Sequence, residues 1–419
     1  MAKIISQISL FNYNEIEQLG DLERLRLALE GIDDEKLMLK LENKRKNGRD
    51  DYPVRVMWNL FIAMKVFQHD SVNSFIRECN RNSQLRRACG LYDYDKRKNL
   101  VPKARVFTGF IKSLCEFTNE VNEIFETQVD YLYESIKGFG QTLAGDGKII
   151  NSYSKNKPNE SIKHPDQRSE VDAEYTIKSY YYTTEDGKKH EKKTSYYGFK
   201  AHIICDVNSE LPVSFIVTKA NYSERAAIKE MMEALDKTKK NKAKYVLLDR
   251  GYDSLPLIKL IKGDGIIPIV DIRNMWKDGE KTKQYKNTNL VYNAKGEVFY
   301  IDSDGIEIKM KYEGFDKQKN CLRYSYKKKI YKIYINYDER IFLPIARDSD
   351  KFKKIYKGRT AVERINGRLD RDYKFEKHFI RGLKKMRLMV TLSFIVMNGM
   401  AVGKIKNKID SIRSLVSAA

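Results

Sequence analysis

Apolar positions along this chain change their spacing twice, and each change marks a new region. Between 52 and 138 they recur at helical intervals: Val54, Met57, Trp58, Phe61 and Ile62 share one face. A second helix is predicted from an N-cap at Ser71 through Phe75 and Ile76 into a basic patch of Arg77, Arg81, Arg86 and Arg87, closed by Gly90. Pro102 opens a third, with Phe107, Phe110, Ile111 and Leu114 turned inward. After 138 the spacing becomes that of strands. Thr142 to Ile150 reads as a strand carrying one acid, Asp146, between two glycines, and a Lys/Asn/Pro loop follows at 155–168. Tyr196 to Val207 and Leu211 to Thr218 are β-rich runs joined by a turn at 208–210. Ser223 caps a helix that runs to Leu235, and Lys244 to Asp249 is an almost wholly apolar run, typical of a strand covered on both faces. A helix at 255–261 and a strand at 266–270 complete the series. Three successive strands followed by helix-linked ones predict an α/β architecture: a mixed five-stranded sheet with flanking helices.

From 272 to 345 the texture changes again. Ile306, Ile308, Met310 and Tyr312 alternate with Glu307, Lys309 and Lys311, and Tyr324 to Tyr337 is a second Tyr/Lys-rich alternating stretch. So long a segment is no bare loop, and it reads as a β-rich insertion domain. The chain then returns through Ile355 to Leu369, where Ile355, Val362, Ile365 and Leu369 form an apolar helical stripe, and ends in an apolar helix near 384–402. The expected organisation is an N-terminal segment with a charged linker at 1–51, a helical domain at 52–138 whose arginines suit DNA binding as well as a plain bundle, the first part of a mixed-sheet core at 139–271, the insertion at 272–345, the second part of the core at 346–403 and a basic tail at 404–419.

Composition narrows the partners. Lys and Arg number 79 against 57 Asp and Glu, a formal net charge of +22, which favours a polyanion, nucleic acid before an anionic membrane. The five cysteines are scattered without a C-x-x-C pair, which argues against disulfides and a thiolate zinc site and fits a reducing cytosol. The N-terminus lacks the apolar core of a signal peptide. The run Leu388 to Val402, interrupted by Thr391, Ser393, Asn398 and Gly399, is short for a bilayer span and reads as a buried helix.

Three acids stand out against this background. Asp146 lies within the first strand, Asp249 at the carboxyl end of the buried one, and Glu363 on the returning helix, in one stripe with Tyr356 and Arg359. Each has an ordinary structural reading: a turn residue for Asp146, a turn or N-cap for Asp249, a surface ion pair for Glu363 with Arg359. If they converge, a carboxylate cluster without His or Cys selects hard divalent ions, magnesium or manganese. Two such ions can activate a water or 3′-hydroxyl and stabilise the leaving oxygen of a phosphodiester. His202 reads as a structural histidine on a strand.

The ordered set resembles the DDE transposases of bacterial insertion sequences. The stretches that carry the likeness are Tyr197-Gly-Phe-Lys-Ala-His202, Asp249-Arg-Gly-Tyr252, Arg359-Thr-Ala-Val-Glu-Arg364 and the spacing of Tyr356, Arg359 and Glu363, together with the helical segment near 54–115. The resemblance implies an RNase H-like catalytic fold and a β-rich insertion before the third acid. It implies catalytic and metal-holding roles for Asp146, Asp249 and Glu363, with two magnesium or manganese ions between them, and DNA contacts by Tyr356, Arg359, Lys200, Arg364, Arg371 and Lys374. The expected activity is metal-dependent strand cleavage and strand transfer at the element's terminal inverted repeats, on double-stranded DNA, by a homodimer assembled on DNA in the bacterial cytoplasm at the nucleoid, with no membrane partner. Where that pattern continues with a Lys seven positions after the Glu, this chain has Asp370, with Arg368, Arg371 and Lys374 nearby. A nuclease that cleaves without joining and an inactive DNA-binding derivative are the competing readings.

Overall fold

In the computed structural model, residues 20–46, 52–92, 100–154, 170–184, 186 and 189–412 are described. The loop predicted at 155–168 lies outside them, as do parts of the segments at 1–51 and 404–419. Helices come first: α1 (Asp21–Glu30), α2 (Glu35–Arg45), α3 (Val54–Val66), α4 (Val72–Arg81), α5 (Ser83–Ala88), α6 (Ala104–Glu116) and α7 (Thr118–Ser135). Ser71 accepts from the Ser74 N–H and caps α4, as its position predicts. Every residue of α3 is buried, Arg55 included, which pairs with Asp34 at the start of α2. The charge-dense run predicted as a helix end or linker is in part the second half of α2, so Lys40 to Arg45 are helical.

The sheet is built from β1 (Thr142–Asn151), β2 (Glu174–Thr183), β3 (Lys189–Asp206), β4 (Leu211–Lys219), β5 (Tyr245–Leu248) and β6 (Ile267–Val270). Its core order is β4-β3-β1-β5-β6, with β3 antiparallel to both neighbours and β5 parallel to β1 and β6. That is the RNase H-like arrangement. Among the described residues the sheet has six strands rather than five. The additional one, β2, pairs with the first half of β3 from Glu174↔Gly198 to Thr183↔Lys189 and forms a two-stranded ribbon. Tyr175, Ile177, Tyr180 and Tyr182 of that ribbon are exposed, so no core-facing alternation announced it.

Helices α8 (Glu224–Ala234), α9 (Lys237–Lys242) and α10 (Leu255–Gly263) link the later strands. Seven short strands follow, β7 (Thr282–Gln284), β8 (Leu290–Asn293), β9 (Val298–Ile301), β10 (Glu307–Lys309), β11 (Lys311–Asp316), β12 (Cys321–Tyr326) and β13 (Lys329–Tyr334), in one sheet of four and one of three. They enclose their own core of Ile272, Leu290, Val298, Tyr324, Ile333 and Phe342. Arg347 anchors this unit to the main sheet by donating to the carbonyls of Val270, Ile341 and Arg340 at 2.8, 2.6 and 3.0 Å.

The chain closes with α11 (Asp350–Tyr356), α12 (Thr360–Arg371) and α13 (Leu383–Lys406). The last is the one helix among the described residues long and apolar enough to cross a membrane, and 89% of its most apolar window is buried inside the fold. It crosses α1 so closely that a Cβ on Gly403 would stand 2.1 Å from the Leu27 carbonyl oxygen. Backbone contact of this kind needs glycine.

Candidate active site

The helix predicted over Ile355 to Leu369 is interrupted. Tyr356 ends α11, Lys357–Arg359 form a 3₁₀ turn, and Thr360 starts α12. The cause is a close approach: a Cβ on Gly358 would meet Val207 at 2.8 Å and Leu247 at 3.2 Å, so the turn lies against the sheet. The apolar stripe behaves as its spacing predicts, with Val362, Ile365 and Leu369 fully buried.

Strand register brings the two aspartates side by side. β1 pairs with β5 from Thr142↔Tyr245 to Ala144↔Leu247; two residues further on, Asp146 stands within β1 and Asp249 just past the end of β5. By alternation both lie on the face of Leu247, the face that the Gly358 turn covers. Asp249 also acts as a turn residue: its Oδ1 accepts from the Gly251 N–H at 2.6 Å. Burial first, then the charges of Asp249 and Glu224, push the Asp146 carboxyl up to about 6, against the Gly147 N–H and the Arg359 charge. Tyr356 stands in the same field: burial and the charges of Asp271 and Asp249 raise its phenol, while Arg359 lowers it.

Glu363 does not join the aspartates. Its Oε1 takes a hydrogen bond from Arg359 at 2.5 Å, and its side chain is 48% exposed. Among the described residues, no three His, Cys, Asp or Glu side chains stand close enough to hold one ion. The next turn of α12 does reach the site, since Asn366 Nδ2 donates to Asp146 Oδ2 at 3.2 Å.

The chemistry of the site nevertheless fits a hard cation. The donors offered are carboxylate oxygens, and the repulsion between Asp146 and Asp249 is the field a divalent ion relieves. Two buried polar atoms beside them lack partners: the hydroxyl of Tyr252, whose residue is fully buried, and Asn366 Oδ1. The Tyr252 phenol is raised by its burial and by the charges of Asp146, Glu224 and Asp249, which places it among those acids. Asp146, Asp249 and, after rotation away from Arg359, Glu363 are the residues that could hold metal.

The basic residues named from the sequence divide. Tyr356 and Arg359 are at the site, with the guanidinium 5.9 Å from the tyrosine ring centre. Lys200 is not. It pairs across from Ile149, hence on the opposite face from Asp146, where it is buried and bound to Glu224 of α8 at 3.1 Å. Arg364 reaches Glu210 at 2.8 Å with about half its side chain exposed. Arg371 is exposed and paired with Asp372 at 2.9 Å, and Lys374 shares a surface cleft with Arg371 and Lys377. His202 is neutral and structural: burial and Lys200 push it down to about 3, and its Nε2 bonds Thr218 Oγ1 at 3.0 Å. Asn366 was missed in the sequence, where no local pattern ties it to Asp146, and Tyr252 stood in the Asp249-Arg-Gly-Tyr252 stretch with no role assigned to it.

Comparison with known families adds two matches. A family described as Transposase DDE domain matches residues 160–398, more than half of the chain, a span that includes Asp249 and Glu363 and begins after Asp146. A family described as Transposase domain (DUF772) matches residues 13–113. Among solved structures, a piggyBac transposase synaptic complex with hairpin DNA is similar at 11% identity and a TM-score of 0.41, over 94% of this chain and 78% of that one. No curated protein matches the chain.

Proposed function

The chain belongs to the DDE transposase family, and from that premise we propose that Asp146, Asp249 and Glu363 are its catalytic acids. As a transposase of this family it is a metal-dependent enzyme that cleaves and joins DNA. The reading of the acids rests on one observation above the others: Asp146 on β1 and Asp249 at the end of the adjacent β5 lie beneath the turn that leads into Glu363. The ions are magnesium or manganese, two in number, because the donors are carboxylates and the reaction has an attacking and a leaving oxygen. Bound there, the pair supplies Lewis acidity to both oxygens of an in-line displacement.

The protein's own residues have separable parts in this scheme. Asp146 and Asp249 hold charge at a fixed spacing set by the sheet. Glu363 turns from Arg359 toward them. Arg359 and Tyr356, which flank the acids, position the scissile phosphate, as Arg and Tyr commonly do. The substrates are the element's own inverted-repeat ends and a duplex target, engaged by a dimer formed on DNA in the cytoplasm. Affinity comes from the basic surface, including Arg371 and Lys374, and falls steeply with salt.

A strand-transfer assay on paired ends taken from the DNA flanking the reading frame, with a target plasmid and Mg²⁺, tests this. Asp146→Asn, Asp249→Asn and Glu363→Gln should each abolish product. Full activity in any of them removes that residue from the mechanism, and cleavage without joined product would favour a nuclease.

A further inference from the structure

We propose that Asn366, Lys148 and Asp370 are positioning residues, which lock helix α12 in one register on strand β1 so that Asp146 and Glu363 are presented to the same space. The proposal rests on the catalytic reading of those two acids.

Glu363, Asn366 and Asp370 are three and four positions apart, so they form one stripe along α12. Asp146 and Lys148 are two apart and share one face of β1. The two stripes meet twice. Asn366 Nδ2 donates to Asp146 Oδ2 at 3.2 Å, and Lys148 Nζ donates to Asp370 Oδ2 at 2.5 Å. The spacings agree: four residues of helix advance about 6 Å, and two residues of strand advance about 6.6 Å. A slip of α12 by one turn would set Asn366 against Lys148 and break both contacts, while carrying Glu363 a full turn along the strand. A third tie restrains rotation about the helix axis. Arg364 and Arg368 bond the two carboxylate oxygens of Glu210 at 2.8 and 2.5 Å, and Glu210 is buried in the turn between β3 and β4.

Burial makes these contacts matter. The Lys148 side chain is 11% exposed, so losing Asp370, itself 36% exposed, strands a shielded ammonium. Asn366 leaves its own Oδ1 buried and unpaired. What it offers in exchange is the donor on Asp146 Oδ2, which, with the Gly147 N–H, fixes the orientation of that carboxylate. Groups that orient a metal-holding carboxylate in this way typically change metal affinity or activity about 10- to 100-fold when removed.

The test uses the full-length protein, with Mn²⁺ binding followed by the loss of the free-ion paramagnetic resonance signal, and cleavage kinetics on a duplex carrying the flanking ends. Asn366→Leu should weaken Mn²⁺ binding and lower kcat, each by about 10- to 100-fold, with KM for DNA and the melting temperature held. Should that variant not fold, Asn366→Ser, which cannot overpack, carries the same expectation. Lys148→Asp and Asp370→Lys should each lose kcat, and the swapped pair should recover it by about tenfold over the worse single variant. Unchanged Mn²⁺ affinity and kcat in the Asn366 variant, or a swapped pair no better than the single variants, overturns the proposal. If Asp146→Asn and Glu363→Gln are themselves active, the catalytic reading fails first. If they are dead while the Asn366, Lys148 and Asp370 variants are not, the positioning role alone fails.

Discussion

Asp146→Asn should make the metal-free protein more stable while removing its activity. The Asp146 carboxyl is raised from 3.8 to about 6, with burial as the main cause and the charges of Asp249 and Glu224 behind it. A shift of about two units is worth about 3 kcal/mol, and the partial exposure of the side chain brings this nearer 2. The sign follows from linkage. The unfolded chain loses this proton near pH 4 and the folded chain near pH 6, so the folded state binds the proton more tightly, and stability falls as pH rises between those values. Above about pH 6 the whole cost of ionising Asp146 is present, and a neutral amide removes it. With an unfolding entropy of about 2.1 cal/mol/K per residue, 419 residues give about 0.9 kcal/mol/K, so 2–3 kcal/mol corresponds to roughly 3 °C. Melting in EDTA at pH 7.5 and again near pH 4 measures it. The variant should melt about 3 °C higher at pH 7.5 and within about 1 °C of the parent near pH 4. A lower melting temperature at pH 7.5, or the same gain at both values, would refute the electrostatic account of the site.

Magnesium should stabilise the parent by about 1.4 kcal/mol at ten times its Kd and leave Asp146→Asn unmoved, as thermal melting with and without EDTA would show. Arg359→Ala should leave Mn²⁺ affinity equal or tighter while kcat falls, because Arg359 competes for the acids as a cation and pairs with Glu363; weaker Mn²⁺ binding counts against that role. Gly403→Ala should cost about 1–3 kcal/mol or more, since its methyl would fall 2.1 Å from the Leu27 oxygen and push α1 from α13, visible as a lower melting temperature. Arg347→Met should leave three carbonyls without their donor and cost roughly 2–5 kcal/mol, with faster proteolysis at the junctions of the 272–345 unit as the readout.

Much of the sheet was legible because its strands obey simple rules. Tyr245 to Leu248 is apolar on both faces, and Asp249 stands where such a strand ends, so strand and acid were found together. Ser223 and Ser71 were readable as caps, and both accept the expected backbone N–H. The β2–β3 ribbon was not legible, because a strand with solvent on both faces has no period to detect. Lys200 was assigned to DNA from the run around it. Only the register Ile149↔Lys200 shows that it belongs to the far face of the sheet. Asn366 and Asp146 are 220 positions apart, and no local pattern ties them. Asp370 in place of a lysine left open whether Arg368, Arg371 or Lys374 takes over that contact or whether it is lost. In the fold a lysine stands at that level after all, supplied by β1 as Lys148.

The displacement of Glu363 from the two aspartates is a small obstacle compared with the forces at the site. Its ion pair with Arg359 spans four residues at a half-exposed surface, an arrangement worth about 0.3–0.5 kcal/mol. The ionised Asp146 opposite costs about 2–3 kcal/mol in the absence of a cation. Neutralising that charge therefore returns several times the free energy needed to part Glu363 from Arg359. The change is assigned to the Glu363 side chain alone, since α12 is held on β1 by Asn366 and Asp370 and its apolar stripe is fully buried. Once Glu363 turns inward, Arg359 is left without its carboxylate beside the acids, and the nearest use for a free guanidinium there is a DNA phosphate. Ion binding and phosphate binding are then coupled through one side-chain rotation: each favours the state in which Glu363 and Arg359 have separated. That coupling is why the Arg359→Ala measurement separates competition for the acids from support of the substrate.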